Sequence, residues 1–255
     1  VLRPVNDRLL ERILLFGPAG SGKSTAAVTI ASMAAKTHSD ARFHVIDTDL
    51  AWDRMLIEGY PELSNVDVHV ALEWPEYKES LAKVRSVIRP NDWVVVDLVS
   101  NAWETVQAYF TEQVFDSDIG DYFLQVRKEL KTGKKSLEAF SGWVDWSVIN
   151  AMYKTWVNDL LFKTRANVIC MAKMGKVHAE QDDKATRLLF GPHGVKPEGQ
   201  KALAYQFHTV LLTGEPRTGE YTLTTVKDRE RAQLVKAPVK KFALDYLVKV
   251  GGWRL

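Results

Sequence analysis

The chain has 255 residues, of which 46% are apolar and 26% charged, and its formal net charge is +2. That length gives one large α/β domain or two small ones with a substantial core, and the near-neutral balance excludes a protein that grips nucleic acid by overall charge, so any basic surface is local. A single cysteine, Cys170, excludes an internal disulfide; the chain has no 18-residue apolar run, so no transmembrane helix is expected, and it shows no basic-then-apolar leader.

Residues 12–16 form an apolar run that predicts a strand entering a glycine-rich turn. Residues 23–36, rich in alanine with Ile30 and Met33, predict the helix that follows. A second strand is expected at 43–46, and residues 75–88 carry Tyr77, Leu81, Val84 and Ile88 at helical spacing. Residues 93–96 and 168–171 predict two further strands, the latter burying Cys170 as a strand residue rather than exposing it as a catalytic thiol. Residues 207–213 and 221–226 predict a closing pair. Residues 101–161 are rich in aromatic side chains and include a basic stretch at 127–135; they predict helices packed on the sheet, with a loop around 132–135. No internal repeat or low-complexity linker interrupts the chain. Strands alternating with helices predict one α/β domain over residues 1–255, a mostly parallel central sheet flanked by helices.

Gly17, Pro18, Ala19, Gly20, Ser21, Gly22, Lys23 and Ser24 fit the pattern G-x-x-x-x-G-K-[ST]. Glycines let the backbone turn tightly and bring its N–H groups close to oxygen atoms. The first N–H groups of the following helix have no internal partner and point at an anion. Lys23 adds a charge within reach of the β- and γ-phosphates, and the Ser24 hydroxyl is a ligand for Mg²⁺. Thr25 completes the expected set of nucleotide contacts. The expected ligand is ATP with Mg²⁺, although the pattern does not distinguish adenine from guanine.

Trp93, Val94, Val95, Val96 and Asp97 make an apolar strand that ends in a carboxylate, the Walker B pattern, so Asp97 is expected to hold Mg²⁺ beside Ser24. The next residue is Leu98, so an acid directly following Asp97 is ruled out as the base. The second strand runs into Asp47, Thr48 and Asp49. Carboxyl ends of adjacent parallel strands face the ligand crevice, which makes Asp49 the candidate to orient and deprotonate water. Asp47 is its competitor, and the alternative for both is to cap the turn before Trp52.

The segment from Val45 to Asp53 resembles the RecA segment that carries the catalytic glutamate, with Asp49 at the glutamate position. Residues 167–173 resemble the RecA-fold strand whose end senses the γ-phosphate, with Lys173 where RecA has glutamine; the alternative is a solvated strand-end lysine. Residues 174–197, rich in Gly, Lys and His, occupy the place of the RecA loop that touches DNA, and residues 199–203 lead into a helix and a strand as in RecA. Thr225, Val226, Lys227, Asp228 and Arg229 resemble the Lys-x-Arg element of RecA, KaiC and DnaB-type ATPases, whose two cations reach a neighbouring subunit's γ-phosphate. Period-two alternation predicts that Lys227 and Arg229 share one face of a strand, the alternative being an ordinary basic strand end.

The resemblance runs in order over residues 12–234 and implies a RecA-like P-loop NTPase. It is nearest to the compact core-only RecA-like ATPases of phages, which anneal single-stranded DNA, and the polymerisation arm and large C-terminal domain of RecA are expected to be lacking. It implies an ATP hydrolase that forms a homo-oligomer, ring or filament, with nucleotide at the subunit seams, in the cytoplasm or in the host cytoplasm for a phage protein. Single-stranded DNA is the implied partner, with Lys128, Lys131, Lys134, Lys135, Lys176 and His178 as candidate contacts; the alternative is a solvated basic surface. A helicase or DNA-packaging motor core and a KaiC-like ATPase without a nucleic-acid partner share the same motifs. A small-molecule kinase is disfavoured by the lack of an Arg-rich lid segment.

Overall fold

The computed structural model describes residues 10–37, 40–132, 140, 144–214, 221–229 and 237–248. Eight strands form the main sheet: β1 (Arg12–Phe16), β2 (Phe43–Asp47), β3 (Val66–Val70), β4 (Trp93–Asp97), β5 (Asn167–Ala172), β8 (Thr209–Gly214), β9 (Thr222–Asp228) and β10 (Ala237–Pro238). Their order is β10-β9-β8-β1-β5-β4-β2-β3. The pairs from β8 through β3 are parallel, and β9 and β10 close one edge antiparallel. Two short strands, β6 (Met174–Lys176) and β7 (Val195–Pro197), form a separate antiparallel ribbon.

The central strands β2, β4 and β5 are buried along their whole length. Helices cover both faces, which is why these strands read as unbroken apolar runs instead of alternating ones. Alternate residues serve opposite cores. Leu14, Ile46, Val94, Val96, Val168 and Cys170 face helices α3 (Trp74–Val87), α4 (Val99–Phe115) and α6 (Asp145–Asn158). Ile13, Leu15, Val45, Val95 and Ile169 face α1 (Lys23–Lys36) and the segment from Val239 to Leu247. Helix α5 (Ile119–Lys131) packs outside α4 and buries only Val126.

The predicted strands and helices are present, with the following departures. Strands β3, β6, β7 and β10 and helices α2 (Trp52–Gly59) and α7 (Lys184–Phe190) were not anticipated. β3 is the sheet edge and carries Asp67 and His69, so its apolar run is broken; α2 is eight residues long and buries only Trp52. The helix expected after residue 199 is a short 3-10 turn, Leu203–Gln206. Helix α3 starts one residue earlier than expected because Glu73 and Glu76 form a capping box on either side of Pro75, the Glu76 carboxylate accepting from the Leu72 and Glu73 N–H groups. The loop expected at 132–135 lies outside the described residues beyond Thr132.

Candidate nucleotide site

Strands β1, β2, β4 and β5 are parallel, so their carboxyl ends meet at one edge of the sheet. A cavity of about 670 Å³ opens there, within the range of small-ligand pockets. Its wall contains every residue from Gly17 to Thr25, together with Asp49, Asp97, Lys173, Glu198 and Tyr221.

The glycine-rich turn needs its glycines for distinct reasons. Gly20 and Gly22 have φ of 71° and 82°, the left-handed region that L side chains rarely adopt. Gly17 is pressed against β8, and a β-carbon there would collide with the Thr213 hydroxyl and carbonyl. Thr213 is fully buried, lies 2.6 Å from Ser21 Oγ through its own Oγ1, and donates to the Phe16 carbonyl at 3.2 Å. Lys23 Nζ donates to the carbonyls of Gly17 at 3.0 Å and Pro18 at 2.8 Å. Burial lowers the Lys23 pKa, opposed by the charges of Asp97 and Asp49.

Ser24 Oγ donates to Asp97 Oδ2 at 2.6 Å. The same oxygen accepts from Trp52 Nε1 at 2.9 Å. Burial raises the Asp97 pKa, and the bonds from Ser24 and Trp52 oppose that rise. The Asp97–Leu98 peptide is cis. Thr48 ties the neighbouring strand ends together: its N–H donates to the Asp97 carbonyl at 2.7 Å, and its Oγ1 accepts from Leu98 N at 2.7 Å and Asn101 Nδ2 at 2.9 Å.

The two candidate bases differ in surroundings. Asp47 is buried and accepts from the backbone N–H groups of Trp52 at 3.0 Å and Asp49 at 3.3 Å, so it caps the entry to α2. Asp49 lines the cavity. Burial first, then the charges of Asp97 and Asp47, push its pKa up to about 6.

Lys173 follows β5 and also lines the cavity, with its Nζ 3.0 and 3.2 Å from the two carboxylate oxygens of Glu104. Its carbonyl accepts from Glu198 N at 2.9 Å, where the ribbon β6–β7 returns to the cavity. Lys176 and His178 are exposed on the segment that this ribbon carries. Lys128 and Lys131 are exposed on α5, and Lys134 and Lys135 lie outside the described residues.

Lys227 and Arg229 are not at this cavity. Thr222 pairs with Gly214 at the loop end of the sheet, whereas Lys227 pairs with Val210 and Asp228 with Thr209 at the other end. Lys227 Nζ donates to the carbonyls of Phe207 at 2.7 Å, Ala204 at 3.2 Å and Tyr205 at 3.3 Å, and burial lowers its pKa. The expectation that alternation places it on one strand face with Arg229 needs correction. β9 ends at Asp228, leaving Arg229 exposed in the bend beyond the strand.

Sequence reasoning missed Thr213, Trp52, Glu198 and Tyr221. Glu198 and Tyr221 line the cavity, Trp52 bonds Asp97, and Thr213 backs the loop through Ser21, each from a separate stretch of chain. Trp52 alone gave a signal, as a large apolar residue directly after the acidic turn.

Among the described residues no helix is long and apolar enough to cross a membrane. No curated protein matches the chain. Matches among solved structures number 296 chains. One is the crystal structure of the RadB recombinase, 16% identical, with 88% of this chain and 83% of that chain covered at a TM-score of 0.46. The profile of the AAA domain family matches residues 11–231, which include the whole cavity wall, and the chain belongs to the AAA domain family.

Proposed function

We propose that the chain is a RecA-like P-loop ATPase that hydrolyses ATP with Mg²⁺ and acts on single-stranded DNA in recombination or annealing, as the compact phage-type enzymes do. The observation that carries the ATPase reading is the 2.6 Å contact between Ser24 Oγ and Asp97 Oδ2 beside a complete phosphate loop. A hydroxyl and a carboxylate oxygen in contact form a hard-oxygen donor set that suits Mg²⁺, which keeps several waters and takes only one or two protein ligands. When bound, the ion neutralises charge on the β- and γ-phosphate oxygens.

The protein's own groups supply the rest. The loop N–H groups and Lys23 hold the phosphates. Asp49 orients a water and accepts its proton as the water oxygen attacks the γ-phosphorus. The bond to the bridging oxygen breaks and ADP leaves. Lys173 meets the γ-phosphate from the β5 side. Lys227 and Arg229 lie at the far end of the sheet from their own loop, so a nucleotide they serve belongs to a neighbouring copy. That favours a homo-oligomer with nucleotide at its seams.

The DNA reading is supported by the ribbon β6–β7, which leaves the cavity after Lys173 and returns at Glu198 while carrying Lys176 and His178 between. The test is the ATPase rate with and without single-stranded oligonucleotides across protein concentrations. A rate per subunit that rises with concentration and with DNA is expected. A rate indifferent to DNA, with no salt-sensitive oligonucleotide binding, removes the DNA role; no hydrolysis at any concentration removes the whole reading.

A further inference from the structure

We propose that Glu104 sets how well the site distinguishes a triphosphate from a diphosphate, by competing with the γ-phosphate for Lys173. The proposal rests on the reading above that Lys173 meets the γ-phosphate.

The backbone of Lys173 has little freedom. Its N–H donates to Ser100 Oγ at 3.2 Å and its carbonyl accepts from Glu198 N at 2.9 Å. Ser100 and Glu104 are four residues apart on α4, so they present to the same side of that helix. One helix thus holds the main chain of Lys173 with a hydroxyl and its ammonium with a carboxylate. The side chain is left to choose between two anions: Glu104, which is not part of the cavity wall, and whatever occupies the cavity that Lys173 lines.

Magnitude decides which anion wins. The side chains of Lys173 and Glu104 are 40% and 59% exposed, and a pair this open to water changes a binding constant by no more than about fivefold. A γ-phosphate carries more charge than a carboxylate, so it outcompetes Glu104. The pair is therefore a light restraint and not a block: it weakens triphosphate binding by a small factor. It leaves a diphosphate untouched, because that ligand ends at the phosphate held by the loop and Lys23.

The test compares equilibrium binding of Mg·ADP and of the non-hydrolysable β,γ-imido analogue of ATP to the full chain and to E104Q, K173M and the double variant. E104Q is expected to tighten the triphosphate analogue about two- to fivefold and leave ADP unchanged. K173M is expected to weaken the analogue alone, and the double variant to match K173M. A shift in E104Q that is equal for both nucleotides, or that persists in the K173M background, overturns the proposal by showing that Glu104 acts on the fold and not through Lys173. Unchanged analogue binding in K173M overturns it by removing the contact with the γ-phosphate. ADP binding separates these failures from failure of the phosphate-loop reading, which falls only if the unaltered chain binds neither nucleotide.

Discussion

Trp52 Nε1 and the Ser24 hydroxyl donate to one and the same oxygen, Oδ2 of Asp97. The indole is 1% exposed, so this bond is sealed from water and aims a carboxylate that would otherwise be free to turn. Trp52→Phe removes a hydrogen bond to an acidic group in a dry site, at a cost of about 2 kcal/mol in stability. It also lets Asp97 rotate and pushes its pKa further up. The expected outcome is a higher Mg²⁺ concentration for half-maximal ATPase. An unchanged Mg²⁺ dependence, with only the melting temperature lowered, would show that the tryptophan is a packing residue and nothing more.

Gly17 is held against β8 by a fully buried threonine. Gly17→Ala forces the loop away from Thr213, and nucleotide binding is expected to fall by at least tenfold. Thr213→Val keeps the volume but strands Ser21 Oγ, a buried polar atom, at a cost of about 1–3 kcal/mol. Chemical denaturation of both variants and nucleotide titration check the pair. Nucleotide affinity unaltered in Gly17→Ala would contradict the close approach.

The acid limb of the pH–rate profile should belong to Asp49. Its pKa is raised to about 6, so it is ionised and able to accept a proton above that value and is neutralised below it. Hydrolysis is therefore expected to be lost as pH falls through about 6 in kcat/KM, which reports the free enzyme. In the Mg²⁺-loaded complex the limb should move lower, because the cation offsets the neighbouring Asp97 charge that contributes to the rise. Asp49→Asn should lack measurable turnover while binding nucleotide. A variant retaining the wild-type rate and acid limb would remove the assignment.

His44 on β2 supplies a separate dependence, of stability on pH. It is 4% exposed, lies 3.5 Å from an Asp67 oxygen and 3.9 Å from an Asp92 oxygen, and neither ring nitrogen has a hydrogen-bond partner among the described residues. Burial lowers its pKa, and the two carboxylates oppose that only in part. The folded ring therefore stays neutral where the unfolded ring, near pH 6.5, already takes a proton. Folding stability is present in full above that value and is lost as pH falls below it toward the lowered folded pKa. His69 shifts in the same direction. Melting temperatures from pH 7.5 to 5 should fall for the unaltered chain and fall less for His44→Phe; equal slopes would assign the effect elsewhere.

Arg229→Ala should abolish turnover and leave nucleotide affinity nearly unchanged, since Arg229 lies far from its own loop. Mixing Arg229→Ala with Lys23→Ala, each inactive alone, should restore part of the rate, because one mixed seam would pair an intact loop with an intact cation. Normal hydrolysis by Arg229→Ala alone would sink the cross-subunit reading.

What was legible in the sequence follows from how local each feature is. The phosphate loop is eight consecutive residues whose conformational needs are written in glycines, and Asp97 ends a run of valines that only a covered parallel strand explains. The sheet's edge was not legible: Asp67 and His69 break the apolar signal of β3 because that strand has only one neighbour in the sheet. Lys227 looked like a free cation, since the carbonyls that hold it come from a turn some twenty residues earlier, which no local pattern announces. Asp47 and Asp49 were inseparable by spacing. The backbone bonds that occupy Asp47 and leave Asp49 toward the cavity depend on the turn into α2, itself too short to be foreseen.

The ammonium of Lys23, seated on the carbonyls of Gly17 and Pro18, makes the loop its own template. The turn is thus braced by a positive charge from within, and a phosphate that takes this ammonium must displace the two carbonyls as its acceptors. The same brace means that deleting the Lys23 side chain removes a charge and a scaffold together. Lys23→Arg, which keeps the charge but cannot seat a planar guanidinium in the same place, distinguishes the two losses.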